Sequence, residues 1–405
     1  VETLCYSTLN LYAGSSFVVY GNFTTSGSCS NTTPTILNNS GNLSVFGTFT
    51  QVAGTYSYIN NYSNGTLNIY NDFSKNEHTW FNNYGNINIT NGNFNSTGNN
   101  ENFFYNKDGG KVVIDNSGAP SKADNLTNIY LDEGLILEAG SIFSLIKTNL
   151  NVTGGGSSPH DLTTIAGQLS IKDGNFDFRA GGGKIKVNST GSIYVYDTDN
   201  SGDGVLNMSY GGGALTVEGI VYAEGVSITS GGGTSVSVNN GGNMFIGNIG
   251  LYTGSNNNDM IVYNGGTLNY CGNKTAGADY LGTINAGATL NYASGYYTTQ
   301  TPGGQSDFIV GGTQVAAFNN AESCLAAFDN GVSSALPIIM DNFDVRRDGE
   351  TVAVLWSTLA EVNNDFFTVL RSFDAQTFDE IAEVNGVGTS SIKHNYLFID
   401  ENPQD

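Results

Sequence analysis

The chain has 405 residues, of which 54 are Gly and only 12% are Asp, Glu, Lys or Arg, a mixture poor in helix formers. Its 22 Tyr and 22 Phe carry too much large apolar surface for a disordered Gly/Ser polymer. Fourteen basic against 36 acidic side chains leave a formal net charge of −22. That balance excludes nucleic acid and anionic lipid surfaces as partners, because both are gripped by clustered Lys and Arg.

No stretch approaches the roughly 18 apolar residues of a membrane helix, so membrane insertion is not expected. The start, Val1-Glu2-Thr3-Leu4-Cys5, has neither a basic segment nor an apolar core, so a signal peptide, if there was one, is expected to be already gone. Four cysteines allow three connectivities. The sequence-local pairs, Cys5 with Cys29 and Cys271 with Cys324, are favoured and suit two disulfides in an oxidising compartment. Neither pair has a CxxC spacing, and His78, His160 and His394 are scattered, so a zinc site is not expected.

Over the first 300 residues one phrase recurs: Gly, any residue, apolar, polar, apolar, then a short Asn/Gly/Asp turn and often Phe. It reads Gly41-Asn-Leu43-Ser-Val45 with Phe49, Gly65-Thr-Leu67-Asn-Ile69 with Phe73, and Gly85-Asn-Ile87-Asn-Ile89 with Phe94. Later copies are Gly110-Lys-Val112, Gly134-Leu135-Ile136-Leu137, Gly167-Gln-Leu169-Ser-Ile171 with Phe176, Gly213-Ala-Leu215-Thr-Val217, Gly242-Asn-Met244 and Gly266-Thr-Leu268. Apolar/polar alternation over four to six residues predicts half-buried strands, and the Asn/Gly turns predict sharp bends between them. A unit of roughly 20 to 30 residues cannot bury its own apolar face, so successive units must stack. The prediction for residues 1–317 is a right-handed parallel β-solenoid, or β-helix, with an N-terminal cap and Asn ladders at its turns. A large antiparallel sandwich would also show short alternating strands, but has no reason to repeat one phrase at coil spacing.

Residues 318–335 shift to Ala, Val and Leu and contain Ala-Glu-Ser-Cys324-Leu-Ala-Ala-Phe328, which reads as a cap or connector. Beyond them come Leu336-Pro337, Phe343, Val352-Ala-Val354-Leu355-Trp356-Ser-Thr, Glu361-Val-Asn-Asn-Asp-Phe366-Phe367-Thr-Val369-Leu370-Arg371-Ser-Phe-Asp374, Tyr396, Phe398, Asp400 and Pro403. Read physically, Val352, Val354 and Trp356 alternate onto one face of a strand, and Phe367 and Val369 supply a facing core.

This stretch, residues 336–405, resembles the fibronectin type III-like module that precedes the sorting domain in surface proteins exported by the type IX secretion system of Bacteroidota. Ile338-Ile339-Met340 departs from the more acidic run usual there, and the chain stops where further strands would be expected. The resemblance implies a small, truncated β-sandwich, export by the type IX machinery, and an extracellular, secreted or surface-attached location. A truncated sandwich has an open edge and an exposed core groove, which a strand from another copy could fill.

Parallel β-helices include polysaccharide lyases and hydrolases, which need a carboxylate pair or a carboxylate with Ca²⁺ and a substrate-facing cation. The 14 basic residues are dispersed, and Asp132-Glu133 lies beside a turn glycine, so catalysis is not expected. The best ligand candidate is Asp197-Thr-Asp199-Asn-Ser201-Gly-Asp203-Gly204, in which Asp197, Asp199, Ser201 and Asp203 could wrap Ca²⁺. Met208 stands where a bidentate Glu would close that loop, so the rival reading is a polar turn. The expectation is therefore a non-enzymatic exoprotein, structural or adhesive, whose partners are other copies of itself. Carbohydrate binding through exposed Tyr and Asn is the alternative.

Overall fold

A computed structural model describes residues 2–5, 8–26, 35–52, 57–75, 79–96, 104–118, 127–131, 135–153, 162–179, 184–198, 201–208, 213–228, 235–253, 260–271, 282–293, 308–318, 323–328, 339–349, 351–372, 379–390, 394–401 and 403. The chain divides into two compact units, Val1–Phe328 and Asp329–Asp405.

The first unit is a parallel β-solenoid. Each coil contributes one strand to a 13-stranded sheet and, through most of the stack, two to a 22-stranded one. The second coil shows the plan: Thr35–Asn39 in the smaller sheet, then Asn42–Val45 and Phe49–Val52 in the larger. Pairing is parallel and in register, so a residue sits on its equivalent one coil away. Leu43, Leu67, Ile87, Val112, Phe143, Leu169 and Ile193 therefore form one inward column. Each of these is at most 1% exposed.

The Phe that follows the phrase forms a second column. Phe23, Phe49, Phe73 and Phe94 stack at 5.1, 5.0 and 4.9 Å between ring centroids. Rings held at strand spacing bury their faces against one another and add aromatic attraction to the area term.

At the corner between the two sheets the inward residue is Asn. The side-chain amides of Asn39, Asn61 and Asn83 donate to the carbonyls of Asn61, Asn83 and Asn106 at 2.8, 2.8 and 2.7 Å. The same Nδ2 groups reach the backbone carbonyls of Thr66, Asn86 and Lys111, so this buried polar column satisfies itself and the bending backbone. The glycine that opens the phrase has a steric reason. A Cβ on Gly65 would stand 2.4 Å from the Asn39 carbonyl oxygen of the previous coil, so only glycine lets the corners stack. Where two glycines adjoin, as at Gly265-Gly266, the first adopts φ +78° and the second makes the close approach.

Two repeats occupy a different position from the others. Leu135–Leu137 and Ala214–Val217 belong to the 13-stranded sheet, whereas the remaining copies lie in the larger one. The phrase thus marks two corners of the coil, because both are followed by a half-buried strand. The second strand of the larger sheet also drops out, among the described residues, after Asn243–Thr253.

The segment read as a cap or connector folds back along the flank in its described part. Residues 323–328 form a short helix. Phe328 packs on Tyr222 and Phe245 at 5.6 and 5.7 Å, and Cys324 bonds to Cys271. The reason is an outward aromatic column, Tyr194, Tyr222 and Phe245, that would otherwise face water. Helix 323–328 covers that column, and Phe318 at the end of the last coil, Phe308–Val310 with Thr313–Phe318, also packs on Phe245 at 5.9 Å. Cys29 lies outside the described residues, so only the Cys271–Cys324 pairing is seen.

The second unit is antiparallel. Thr351–Arg371 is one long strand whose first half pairs with Ile339–Asp348 and His394–Asp400 and whose second half pairs with Asp379–Ser390. Trp356 stacks on Tyr396 at 5.4 Å and meets the edge of Phe367 at 5.4 Å, which sets the two halves of the strand face to face as a small sandwich.

Replacing Asn61 by Ala would leave Asn39 and the Asn86 carbonyl without their buried partner. The expected loss is about 2–4 kcal/mol, against about 1 kcal/mol or less for Asn60→Ala in the exposed ladder beside it. Urea unfolding of both variants by circular dichroism checks the difference.

Candidate functional site

In the second unit the inner face of the first sheet is apolar on all three strands. Register places Phe343 opposite Trp356 and Val345 opposite Val354, with Tyr396 and Phe398 on the other side. The central strand is covered, Trp356 being 4% and Val354 7% exposed. The edge strand is not: Phe343 is 64% and Val345 51% exposed although both point to the core side. A sandwich core is therefore open along this edge.

The opening is a groove of about 500 Å³. One wall is Phe343, Val345, Val352, Val354 and Trp356; the other is Phe367, Thr368, Val369, Leu370, Arg371 and Ser372. Six consecutive residues of an extended chain alternate in direction, so they can all line one groove only if the groove runs along the strand's backbone edge. Among the described residues, that half of the strand pairs on one side alone, with Asp379–Ser390. Over Phe367–Leu370 the backbone edge facing away from Asp379–Ser390 lies beside an apolar trough, the arrangement that accepts an added strand.

Polar groups close one end. Arg371 donates to Asp400 at 2.7 Å, with side chains 27% and 12% exposed, so the pair links the two sheets. Partly desolvated, the pair would leave an uncompensated charge if one partner were removed, and both residues line this end of the groove.

The candidate Ca²⁺ residues lie on the solenoid. Asp197 accepts from the Gly202 amide, five residues on, at 2.8 Å, while Ser201 is exposed and Asp203 buried. Asp199 lies outside the described residues. Among the described residues no group of three His, Cys, Asp or Glu side chains is gathered that could hold a metal ion. Buried Glu224 faces the same corner: a Cβ on Gly247 would meet its carboxylate at 2.5 Å. It is one residue that sequence reading did not single out, since nothing marks a bulge between Ala223 and Gly225.

Beneath that corner, Tyr196 is 3% exposed. Burial holds its phenol well above the ordinary value; the Ser170 hydrogen bond opposes this, and the negative Asp173 adds to it.

The described residues contain no helix long and apolar enough to cross a membrane. Compared with known proteins, the chain matches no family model and no curated protein.

The Tyr196 environment has a pH consequence. An unfolded tyrosine ionises near 10.0, whereas the folded chain keeps this proton, so stability is present below pH 10 and falls as pH rises above it. Thermal melts between pH 8 and 11.5 are expected to show this fall, and Tyr196→Phe to make it shallower.

Proposed function

We propose that this protein is a non-enzymatic structural subunit of an extracellular surface fibre or adhesive layer, joined to other copies of itself by strand addition. The groove along Phe367–Ser372 carries the reading. It combines exposed apolar side chains with an open backbone edge, and a strand supplied by a second copy would satisfy both at once.

The solenoid supports the same reading. A stack held by identical inward columns and self-satisfying Asn ladders is rigid and regular, as a shaft must be. The net charge of −22 opposes association through broad flat faces, so a contact confined to a backbone edge and an apolar trough is the favourable kind. Export by the type IX route and an extracellular location belong to the reading on the resemblance of residues 336–405 and on the Cys271–Cys324 disulfide.

The test is a groove-blocking variant. Val345→Asp places a charge at a half-exposed groove position and is expected to leave the melting temperature within a few degrees of the parent while abolishing fibres in negative-stain images of native secreted material. Fibres that persist in Val345→Asp would reject strand addition at this site, and isolated short rods from the parent would reject the polymer.

A further inference from the structure

The repeat contains a motif that neither the core nor the groove uses. Three successive strands of the 13-stranded sheet and their following corner residues read Ile36-Leu-Asn38-Asn-Ser40, Tyr58-Ile-Asn60-Asn-Tyr62 and Trp80-Phe-Asn82-Asn-Tyr84. The apolar residue and the second Asn point inward and are buried. The first aromatic and the first Asn point outward, and Tyr62 and Tyr84 stand at the corner, 41% and 40% exposed.

In-register stacking turns this motif into a surface with three columns. The middle one is a second asparagine ladder, in which Asn38, Asn60 and Asn82 donate to Asn10, Asn38 and Asn60 at 2.9, 3.0 and 3.0 Å. On one side Tyr58 stacks on Trp80 at 5.3 Å. On the other Tyr62 and Tyr84 stack near-parallel at 6.5 Å, wider than the Tyr58–Trp80 pair. The Tyr62 hydroxyl leans over the ladder, 3.4 Å from the Asn38 carbonyl.

Each ladder amide has a second N–H beyond the one the ladder uses, and Asn60 and Asn82 keep a carbonyl lone pair, whereas the second lone pair of Asn38 takes the Tyr62 hydroxyl. The surface thus offers donors and acceptors in alternation between two rows of aromatic rings. None of the fifteen residues in the three motif segments is charged, in a chain with 50 charged side chains. An anionic or cationic ligand would find no counter-charge there.

We infer that this face binds an uncharged polysaccharide chain lying along the asparagine ladder, its hydroxyls hydrogen-bonded to Asn38, Asn60 and Asn82 and its C–H faces resting on Tyr62, Tyr84 and Trp80. Hydroxyls match side-chain amides in both donor and acceptor roles, and the apolar faces of sugar rings match aromatic rings. The inference is independent of strand addition, which uses the other unit of the chain.

The experiment is affinity electrophoresis of the full chain in native gels containing xyloglucan, glucomannan, laminarin or dextran, with alginate and polygalacturonate as anionic probes. Retardation by at least one neutral polymer is expected, and Tyr62→Ala/Tyr84→Ala is expected to weaken it about tenfold or more. Both tyrosines are exposed, so the variant should keep its circular dichroism spectrum and melting temperature; Tyr62→Ser alone serves as a milder second variant. Retardation by no neutral polymer, retardation by anionic polymers only, or retardation unchanged in both variants would each overturn the inference. So would a loss of self-association in the variants, seen by light scattering, without a change in retardation.

Discussion

In-register parallel stacking governs this molecule. Once a strand lies on its equivalent about 4.8 Å away, each inward position becomes a column, and every member must suit its neighbours above and below. A hydrophobe in such a column is covered by hydrophobes, and a buried Asn needs a partner on the next coil, an amide for Asn39, Asn61 and Asn83 and a backbone carbonyl for Asn106, which lies against Leu137. Leu43 on Leu67 on Ile87 and Asn39 on Asn61 on Asn83 are two outcomes of that one constraint. The constraint also explains the glycine of the phrase. Corners brought to strand spacing leave no room for a Cβ over the carbonyl beneath, as at Gly65.

The same geometry acts on the outside, where it produces order without burial. Outward Asn38, Asn60 and Asn82 form a ladder as regular as the inner one, and Tyr20, Phe46 and Tyr70 stack in the open at 5.5 and 4.5 Å. A second outward column of the same composition, Tyr194, Tyr222 and Phe245, is instead covered: the chain returns over it with helix 323–328, which Cys324 ties to Cys271. The second unit follows a different rule. Its antiparallel strands have no next coil to complete them, so an unfilled edge beside Val345 remains a groove.

Much of this was legible in the sequence, because a column writes itself as a repeat. Leu43, Leu67, Ile87 and Val112 are spaced at coil length, and Phe49, Phe73 and Phe94 follow the first three at six, six and seven residues, so strand, turn and stacking could all be inferred. Which corner a given copy occupies was not legible. Leu135–Leu137 and Ala214–Val217 satisfy the same local pattern as the others yet lie in the smaller sheet, since alternation records burial on one side and not which sheet provides it. Residues 318–335 read as a cap or connector, and where helix 323–328 packs was not legible, because its partners Tyr222 and Phe245 lie far earlier in the chain and look like ordinary strand residues. The facing of Trp356 and Phe367 followed from alternation; the groove beside them needed coordinates, because exposure of Phe343 depends on what is not packed over it.

The claim that a second copy completes the C-terminal unit is tested most directly by hydrogen exchange at the backbone amides of Phe366–Ser372, comparing the free subunit with native secreted assemblies. An added strand would hydrogen-bond the open edge, so alternate amides in this segment should exchange at least about a hundredfold more slowly in the assembly. Equal exchange in the two forms would contradict strand addition and leave the groove with no role in joining subunits.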